Sequence, residues 1–343
     1  MRLSSRTALA AAAVACVTTL AACGSATTGS DDEDTLRVVA STNVWGSVAQ
    51  AVAGDRIEVE SLITEPSADP HSYEASPLDA AAISDASLVV YNGGGYDQFV
   101  EDILESGSGD PATVEAFALF ESGEGSDLHA GHDHEDTHDT HDTHDAGTDD
   151  TAGSTGHSHD GHDHSGVNEH VWYDLPPPPP GGAPHAVADR LAELDPEGAA
   201  TYEANAAAFH DNLHAVADRV ASIAEAHPDA PIAQTESIAT YLVTAAGLRD
   251  EVPADFANAI ENGTDPSPVA IAATRQLLLD KQVRALLYNP QTEDKVSREM
   301  RAAAEASGIP VVEVSETLPD GVDYIQWQTR TAEALASALD TES

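Results

Sequence analysis

The sequence predicts an α/β protein of two lobes, each with a mainly parallel sheet flanked by helices, joined by one long rigid helix. Short runs rich in β-branched residues alternate with helical stretches in both halves of the 343-residue chain, a pattern typical of parallel sheets covered by helices. One long helical pattern separates the two halves. A chain of this length is also sufficient for about two domains.

Residues 1–22 are expected to be a lipoprotein signal peptide. Arg2 and Arg6 precede an apolar, alanine-rich stretch that is too short to span a membrane. Leu-Ala-Ala-Cys at 20–23 resembles the bacterial lipobox, which implies cleavage before Cys23 and lipidation of that residue. We therefore expect an extracytoplasmic protein anchored to the cell membrane as a lipoprotein, with residues 23–34 as a flexible tether. A plain signal cleaved near Ala22 is the alternative.

The N-terminal lobe is predicted to cover residues 35–185. Its strand candidates are residues 36–40, 57–63 and 88–91, and its helix candidates are residues 44–53 and 77–84. The lobe includes a segment, residues 121–165, with ten histidines, thirteen carboxylates and little to bury, so we expect disorder there. These histidines are candidates for auxiliary, low-affinity metal binding: His129, His132, His134, His138, His141, His144, His157, His159, His162 and His164.

The linking helix is predicted within residues 186–227. Asp195 is the candidate N-cap and Pro196 the first helical residue, and Pro228 ends the pattern. His210 and His214 lie on this helix at the i, i+4 spacing of a helical metal pair. A solvated helix face is the favoured interpretation of the pair, because the sequence suggests no third ligand nearby. The apolar repeat consists of Tyr202, Ala206, Phe209, Leu213, Val216, Val220 and Ile223.

The C-terminal lobe is predicted to cover residues 228–343. Its strand candidates are residues 232–234, 283–288 and 310–314. Its helix candidates are residues 237–246, 267–280 and 295–307. A proline run at 176–180, before the linking helix, has no evident purpose in this scheme.

The charge balance excludes some functions and favours others. The chain carries 60 Asp and Glu against 14 Lys and Arg, a formal net charge of −46. A nucleic-acid-binding protein needs a basic face, and a protein that docks on anionic lipid needs a basic patch, so neither function is expected. An acidic, histidine-loaded segment within a globular composition indicates divalent cations instead.

Four residues are candidate metal ligands: three follow predicted strands, at whose carboxyl ends open α/β sheets bind ligands, and His170 lies where order is expected to resume after the histidine-rich segment. They are His71, His170, Glu236 and Glu316. Two imidazoles and two carboxylates suit zinc or manganese, and histidine biases such a site toward zinc. Spacing alone does not establish that the four converge.

Five stretches resemble the zinc/manganese-binding lipoproteins of bacterial metal ABC importers. They are Asp-Pro-His-Ser-Tyr-Glu at 69–74, Tyr-Asn-Gly at 91–93, His-Val-Trp-Tyr-Asp at 170–174, Tyr-Asn-Pro-Gln at 288–291 and Glu-Thr-Leu-Pro at 316–319. The resemblance implies two α/β lobes joined by one long helix, with a metal ion between them. It also implies a membrane permease and its ATPase as partners, and we expect a monomer.

The same resemblance implies a ligand set. His71 and His170 match the family's two histidines, Glu236 its third ligand, and Glu316 its fourth, which is usually aspartate; Glu313 and Asp320 are alternatives for the fourth. The family commonly has Asn-Pro-His where this chain has Asn-Glu-His at 168–170, which changes the backbone before that histidine. The histidine-rich segment, common in zinc transporters of the family, favours Zn²⁺, whereas glutamate as third ligand favours Mn²⁺.

Two other classes of function are weighed against transport. A zinc hydrolase needs an open coordination position and a general base, and neither His-Glu-x-x-His nor Gly-x-Ser-x-Gly occurs, so we expect no enzyme. A metal-storage or adhesin surface lipoprotein, in which the histidine-rich segment is the functional part, is the second alternative.

Overall fold

The computed structural model describes residues 36–107, 109–122, 168–175 and 182–341. Several predicted features lie outside these residues: the signal peptide, lipidated Cys23, the tether, all ten histidines of the acidic segment and the proline run at 176–180. Within the described residues, no helix has both the length and the apolar character needed to cross a bilayer.

The first sheet has four parallel strands in the order β2-β1-β3-β4. Its strands are β1 (Val38–Thr42), β2 (Val59–Ile63), β3 (Leu88–Tyr91) and β4 (Ala112–Glu115). Every residue of the central strands β1 and β3 is buried, as expected of a parallel sheet covered on both faces. The prediction of a parallel sheet in this lobe is confirmed, although β4 was not predicted because its four residues carry no clear pattern.

Helices cover this sheet and lead into the second half. They are α1 (Asn43–Ala53), α2 (Pro77–Ser84), α3 (Gln98–Ser106), α4 (Ala116–Glu121), α5 (Ala183–Leu194) and α6 (Ala199–Ala226). The start of α2 is well defined, because Ser76 and Asp79 form a capping box and Pro77 occupies the first turn.

The second sheet repeats the first, with four parallel strands in the order β6-β5-β7-β8. Its strands are β5 (Pro231–Gln234), β6 (Arg249–Asp250), β7 (Leu286–Tyr288) and β8 (Val311–Glu313). The helices are α7 (Thr240–Ala245), α8 (Ala254–Glu261), α9 (Pro268–Leu279), α10 (Lys295–Ser307) and α11 (Tyr324–Asp340). The predicted fold class of two parallel-sheet lobes is therefore confirmed.

The 28-residue helix α6 is the long joining element, about 42 Å at 1.5 Å per residue. All seven residues of its predicted apolar repeat are buried. This face packs against α1 and α5 on one side of the molecule and against α7 and α11 on the other. One stiff element thus contacts both halves.

The predicted start of this helix was wrong. The helix begins at Ala199, and Asp195 is the C-cap of α5. The Asp195 carboxylate accepts hydrogen bonds from Arg56 Nη2 at 2.7 Å and from Tyr202 Oη at 2.6 Å. Because these partners occupy the carboxylate, it does not cap a helix, and the three residues after it form a turn.

Candidate metal centre

His71 lies in a short 3-10 turn, Pro70–Ser72, in the connection after β2. Asp69 Oδ1 accepts a hydrogen bond from the His71 backbone N–H at 2.9 Å and lies 3.2 Å from Nδ1 of the same ring. Ser72 Oγ donates to Asp69 Oδ2 at 2.9 Å. A carboxylate on one ring nitrogen of histidine fixes the tautomer and leaves the other nitrogen, Nε2, as a metal ligand.

His170 is oriented in the same way as His71. Asn168 Oδ1 accepts from the His170 backbone N–H at 2.9 Å and lies 2.9 Å from its Nδ1. The His170 side chain is buried, and it directly precedes the 3-10 turn Val171–Tyr173. In both histidines, therefore, a short polar side chain two residues upstream orients the ring and holds Nδ1.

The loop after β3 supports the segment that carries His170. Asn92 Nδ2 donates to the backbone carbonyl of Glu169 at 2.9 Å, so the Tyr-Asn-Gly motif positions the residue before His170. Asn92 is itself fixed by Trp45, whose Nε1 donates to Asn92 Oδ1 at 3.2 Å. Gly93 follows with φ +76°, a conformation that favours glycine and turns the chain at this point.

Glu169 joins the histidines, although it was not a predicted ligand. Its Oε1 lies 3.2 Å from His71 Nε2, and the residue is buried. Burial alone would raise the pKa of this carboxyl, but the hydrogen bond to His71 and the charge of His170 lower it to about 2. The only signal for Glu169 in the sequence was its departure from the family's Asn-Pro-His.

The carboxylates around His71 stabilise its protonated form. Burial disfavours the imidazolium, but hydrogen bonds with Asp69 and Glu169, together with the nearby charge of Glu316, outweigh burial and raise the pKa of His71 to about 12. Without a bound cation, a proton on His71 thus supplies the positive charge that these acidic groups favour. Binding of a metal ion to this ring requires the proton to leave.

Glu316 follows β8 and is 1% exposed. Asn289 Nδ2 donates to its Oε1 at 2.7 Å, and Gln291 Oε1 accepts from its backbone N–H at 2.6 Å. The other oxygen, Oε2, has no hydrogen-bond partner and lies 3.5 Å from His71 Nδ1. The Asn-Pro-Gln stretch after β7 therefore orients a carboxylate with one oxygen toward the histidine.

Glu236 follows β5 and is likewise buried. Thr292 Oγ1 donates to its Oε2 at 2.7 Å, whereas Oε1 has no partner. Burial, reinforced by the negative charge of Glu316, raises the pKa of Glu236 to about 8. A cation nearby would offset the cost of burying this charge.

The predicted ligands converge in part. Among the described residues, two groups have ligand atoms within 4.8 Å of one another: His71 with Glu169 and His170, and His71 with Asp69 and Glu316. Glu236 is in neither group, although its pKa responds to Glu316.

The two alternatives for the fourth ligand lie on the surface. Glu313 is 56% exposed and pairs with Arg301 Nη1 at 3.0 Å, and Asp320 is exposed.

Hydrogen bonds between the two halves fix the walls of this site. Gln291 Nε2 donates to the Ala68 carbonyl at 2.8 Å, next to the turn that carries His71. Asn168 Nδ2 donates to the Ser237 carbonyl at 2.8 Å, and Tyr241 Oη donates to the Asn168 carbonyl at 2.6 Å. The segments that carry the two histidines are thus attached directly to the second half.

Buried aromatic rings line the histidine side. The Tyr96 ring lies edge-on to His71, with centroids 4.8 Å apart, and the Trp172 ring lies edge-on to His170 at 5.1 Å. Tyr96 Oη donates to the Glu316 carbonyl at 3.3 Å. A low-dielectric wall of this kind strengthens the attraction between the acidic oxygens and a cation.

A family model described as "Zinc-uptake complex component A periplasmic" (ZnuA) matches residues 38–338. The streptococcal relative SsaB, from Streptococcus sanguinis, is named a metal ABC transporter substrate-binding lipoprotein; it is 26% identical over 86% of this chain and 84% of its own length. A manganese-binding lipoprotein, MntA of Halalkalibacterium halodurans, is 28% identical over 60% of this chain and 57% of its own length.

Among solved structures, the periplasmic zinc-binding protein TroA of Treponema pallidum has a similar fold. Its TM-score with this chain is 0.66 at 16% sequence identity, over 89% of this chain and 99% of that protein. This similarity extends the two-lobe architecture to nearly the whole described chain.

Proposed function

The chain belongs to the ZnuA family of periplasmic zinc-uptake components, and on that basis we propose that it carries one divalent transition-metal ion between its two lobes. Its family role is that of a metal-binding, substrate-binding component of a metal ABC importer, which works with a membrane permease and an ATPase. The ion is the cargo of this transport system. The predicted lipid on Cys23 would keep the protein at the outer face of the membrane, near the permease.

One observation carries the proposal: two buried carboxylates of the second lobe each keep an oxygen without a hydrogen-bond partner, and one of these oxygens lies 3.5 Å from the His71 ring of the first lobe. Unpaired buried oxygens of Glu236 and Glu316 lie on the second lobe, and two oriented imidazoles lie on the first. Leaving a charged oxygen buried and unpaired is costly, so a divalent cation would stabilise this arrangement.

We propose His71, His170, Glu236 and Glu316 as the ligands, with both histidines coordinating through Nε2 because Nδ1 of each is engaged. Glu316 lies on the Nδ1 side of His71, and Glu169 on its Nε2 side. A single ion that bonds both lobes therefore requires the Glu316 and Glu236 carboxylates to turn toward Nε2 on loading. Each of these carboxylates has one oxygen without a hydrogen-bond partner, so the movement breaks no hydrogen bond at that oxygen.

The choice between zinc and manganese depends on Glu169. The expectation of zinc rests on the histidine-rich segment, which lies outside the described residues. The donor set itself supports the manganese alternative, because Glu169 adds a third buried glutamate to two imidazoles and oxygen ligands suit Mn²⁺. In Glu169→Gln, which keeps the shape and removes the charge, Mn²⁺ affinity should fall more than Zn²⁺ affinity. Equal loss for both ions would show that Glu169 does not select between them.

Release to the permease is proposed to involve small movements of the lobes. The 28-residue helix α6 packs on both halves, and side-chain hydrogen bonds join the lobes around the site. A stiff connection of this kind opposes wide hinge opening. We therefore propose that the permease displaces ligands locally, with the segment 168–170 or the turn Pro70–Ser72 as the moving part.

Calorimetric titration of the mature chain with Zn²⁺ and with Mn²⁺ tests the proposal. The wild type should show one tight site, which His71→Ala should abolish. His227→Ala is the matched control, because this histidine lies at the end of α6 and pairs with Asp340 instead. A tight Mn²⁺ site that survives in His71→Ala would contradict the ligand assignment.

The same titration distinguishes the transport function from the metal-storage alternative. A chain without residues 128–165 should keep the tight site unchanged and bind fewer ions in total, with lower uptake when zinc is scarce. Many weak sites and no tight one in the full chain would favour the storage alternative.

A further inference from the structure

Three histidines form a second cluster on the helices α5 and α6. His185 is in the first turn of α5, and His210 and His214 lie one turn apart on α6. All three are half-buried. The sequence favoured a solvated face for His210 and His214 because no third ligand was evident, but the packing of α5 on α6 brings His185 beside them.

The geometry of the α6 pair matches that of a metal chelate. The two Nε2 atoms of His210 and His214 lie 2.9 Å apart, and their rings are 81° to one another. Two nitrogens bonded to one ion at about 2.0–2.1 Å are about 2.9 Å apart at a right angle and about 3.4 Å apart at the tetrahedral angle. The His185 ring contacts His210 with centroids 5.8 Å apart, which places a third imidazole beside the pair.

The charge state also favours a cation. Burial, together with the charges of His214 and His185, lowers the pKa of His210, so its imidazole is neutral at physiological pH. In a neutral pair only one of the two facing Nε2 atoms can carry the proton of their hydrogen bond. The other Nε2 accepts that hydrogen bond through its lone pair, and an ion would bind both nitrogens once the donor ring takes the Nδ1–H tautomer.

We propose that His185, His210 and His214 form a second metal site, separate from the ion that is transported. A site of imidazole nitrogens alone selects Ni²⁺, Cu²⁺ or Zn²⁺ and discriminates against Mn²⁺, which prefers oxygen. An ion here would join α5 to α6 and so stabilise the helical connection between the lobes. This selectivity contrasts with that of the oxygen-rich site between the sheets.

The test is protection of individual histidines from carbethoxylation by diethylpyrocarbonate, read by mass spectrometry on the full mature chain. Ni²⁺ is the probe, and Mn²⁺ is the comparison ion. With free Ni²⁺ at about ten times its Kd, modification of His210 and His214 should slow about tenfold, and Mn²⁺ should leave it unchanged. His227 serves as the internal reference, because it is the C-cap of α6 and lies outside both clusters.

The variant His214→Ala should lose the Ni²⁺ protection of His210, whereas His227→Ala should keep it. No protection of His210 and His214 in the wild type, while calorimetry still shows a tight Mn²⁺ site that His71→Ala abolishes, would overturn the second site and leave the proposed function intact. Protection of the pair in a chain that shows no such Mn²⁺ site would contradict the proposed function alone. Protection of His210 that persists at the same level in His214→Ala would also overturn this proposal.

Discussion

The two lobes hold the proposed metal ligands by different means. On the first lobe, each histidine is oriented by a side chain two residues upstream: Asp69 for His71 and Asn168 for His170. On the second lobe, the carboxylates depend on partners that are distant in sequence. Asn289 binds Glu316 from 27 residues away, and Thr292 binds Glu236 from 56 residues away.

The difference shows that local contacts orient the histidines, whereas tertiary contacts orient the glutamates. A histidine held by its own turn is oriented wherever that turn forms, because the hydrogen bonds close within three residues. The glutamates are oriented only when the ends of β5, β7 and β8 are assembled side by side. In the proposed site, the first lobe thus supplies preformed nitrogen ligands, and the second lobe supplies oxygen ligands whose position depends on the assembled sheet.

Removing one ligand from each lobe gives the largest expected effect. His170→Ala and Glu316→Ala should each weaken metal binding by more than about 100-fold, the upper end of the loss seen when only a supporting residue is removed. The measurement is competition with a chelator of known affinity. Glu313→Ala is the matched control, since this glutamate is exposed and paired with Arg301. A small effect of Glu316→Ala beside a large one of His170→Ala would mean that the first lobe binds alone.

The pH dependence of affinity is the second test, because each lobe contributes a proton that must leave. The pKa of His71 is raised to about 12 and that of Glu236 to about 8, so both groups hold protons at neutral pH in the metal-free protein. Apparent affinity should therefore rise with pH, by about 10- to 100-fold per unit between pH 6 and 8, as one or two protons are released.

Calorimetry in buffers of different ionisation enthalpy counts these protons directly. Glu236→Gln should reduce the number released below pH 8 and leave the contribution of His71 in place. No net proton release at pH 7 would contradict the charge states described for both lobes.

The third test concerns the hydrogen bond with which Asn289 supports Glu316. Asn289→Ala removes the donor to Glu316 Oε1, which leaves that oxygen buried without a partner and its carboxylate free to rotate. Loss of such a supporting hydrogen bond costs about 10- to 100-fold in metal affinity. The thermal midpoint of the metal-free protein, measured in parallel, shows whether the fold is retained; unchanged affinity would mean that Asn289 does not orient the ligand.

The smallest effect is expected for Asp69→Asn, which gives His71 the same amide support that Asn168 gives His170. The acceptor for the ring Nδ1 is kept, so affinity at pH 8 should change by less than about tenfold, below the loss for a removed support. The pKa of His71 should fall, because one negative charge beside it is gone. NMR titration of the ring in the metal-free protein measures this change, and an unchanged pKa would contradict the stated cause.

Much of the fold was predictable from the sequence, because both sheets are parallel and buried. The strand at Leu88–Tyr91 and the apolar repeat of α6 were predicted residue by residue. The strands β4 and β6 were missed, since four and two residues give no usable periodicity. The start of α6 was misplaced because the cap candidate Asp195 is engaged by Arg56, 139 residues away.

The site was predictable only where its residues lie in stretches that resemble the family or are oriented by neighbours in the sequence. His71 and His170 lie in recognisable stretches, and ligand atoms of Glu316 and His71 lie within 4.8 Å of one another. In the sequence, Glu169 was interpreted only as a change in the backbone before His170. Its carboxylate contacts His71, which is 98 residues away in the chain, and local sequence does not predict a contact over that separation. Glu236 lies near Glu316 without joining either group of close ligand atoms, so its role as ligand remains a prediction.

The most direct test is a crystal structure of the metal-loaded mature chain, with the ion located by its anomalous scattering. The account predicts one ion bonded at about 2.0–2.2 Å to Nε2 of both His71 and His170 and to at least one carboxylate oxygen of Glu316 or Glu236. An ion held by His71, Glu169 and His170 alone, with both glutamates of the second lobe unbound, would contradict it.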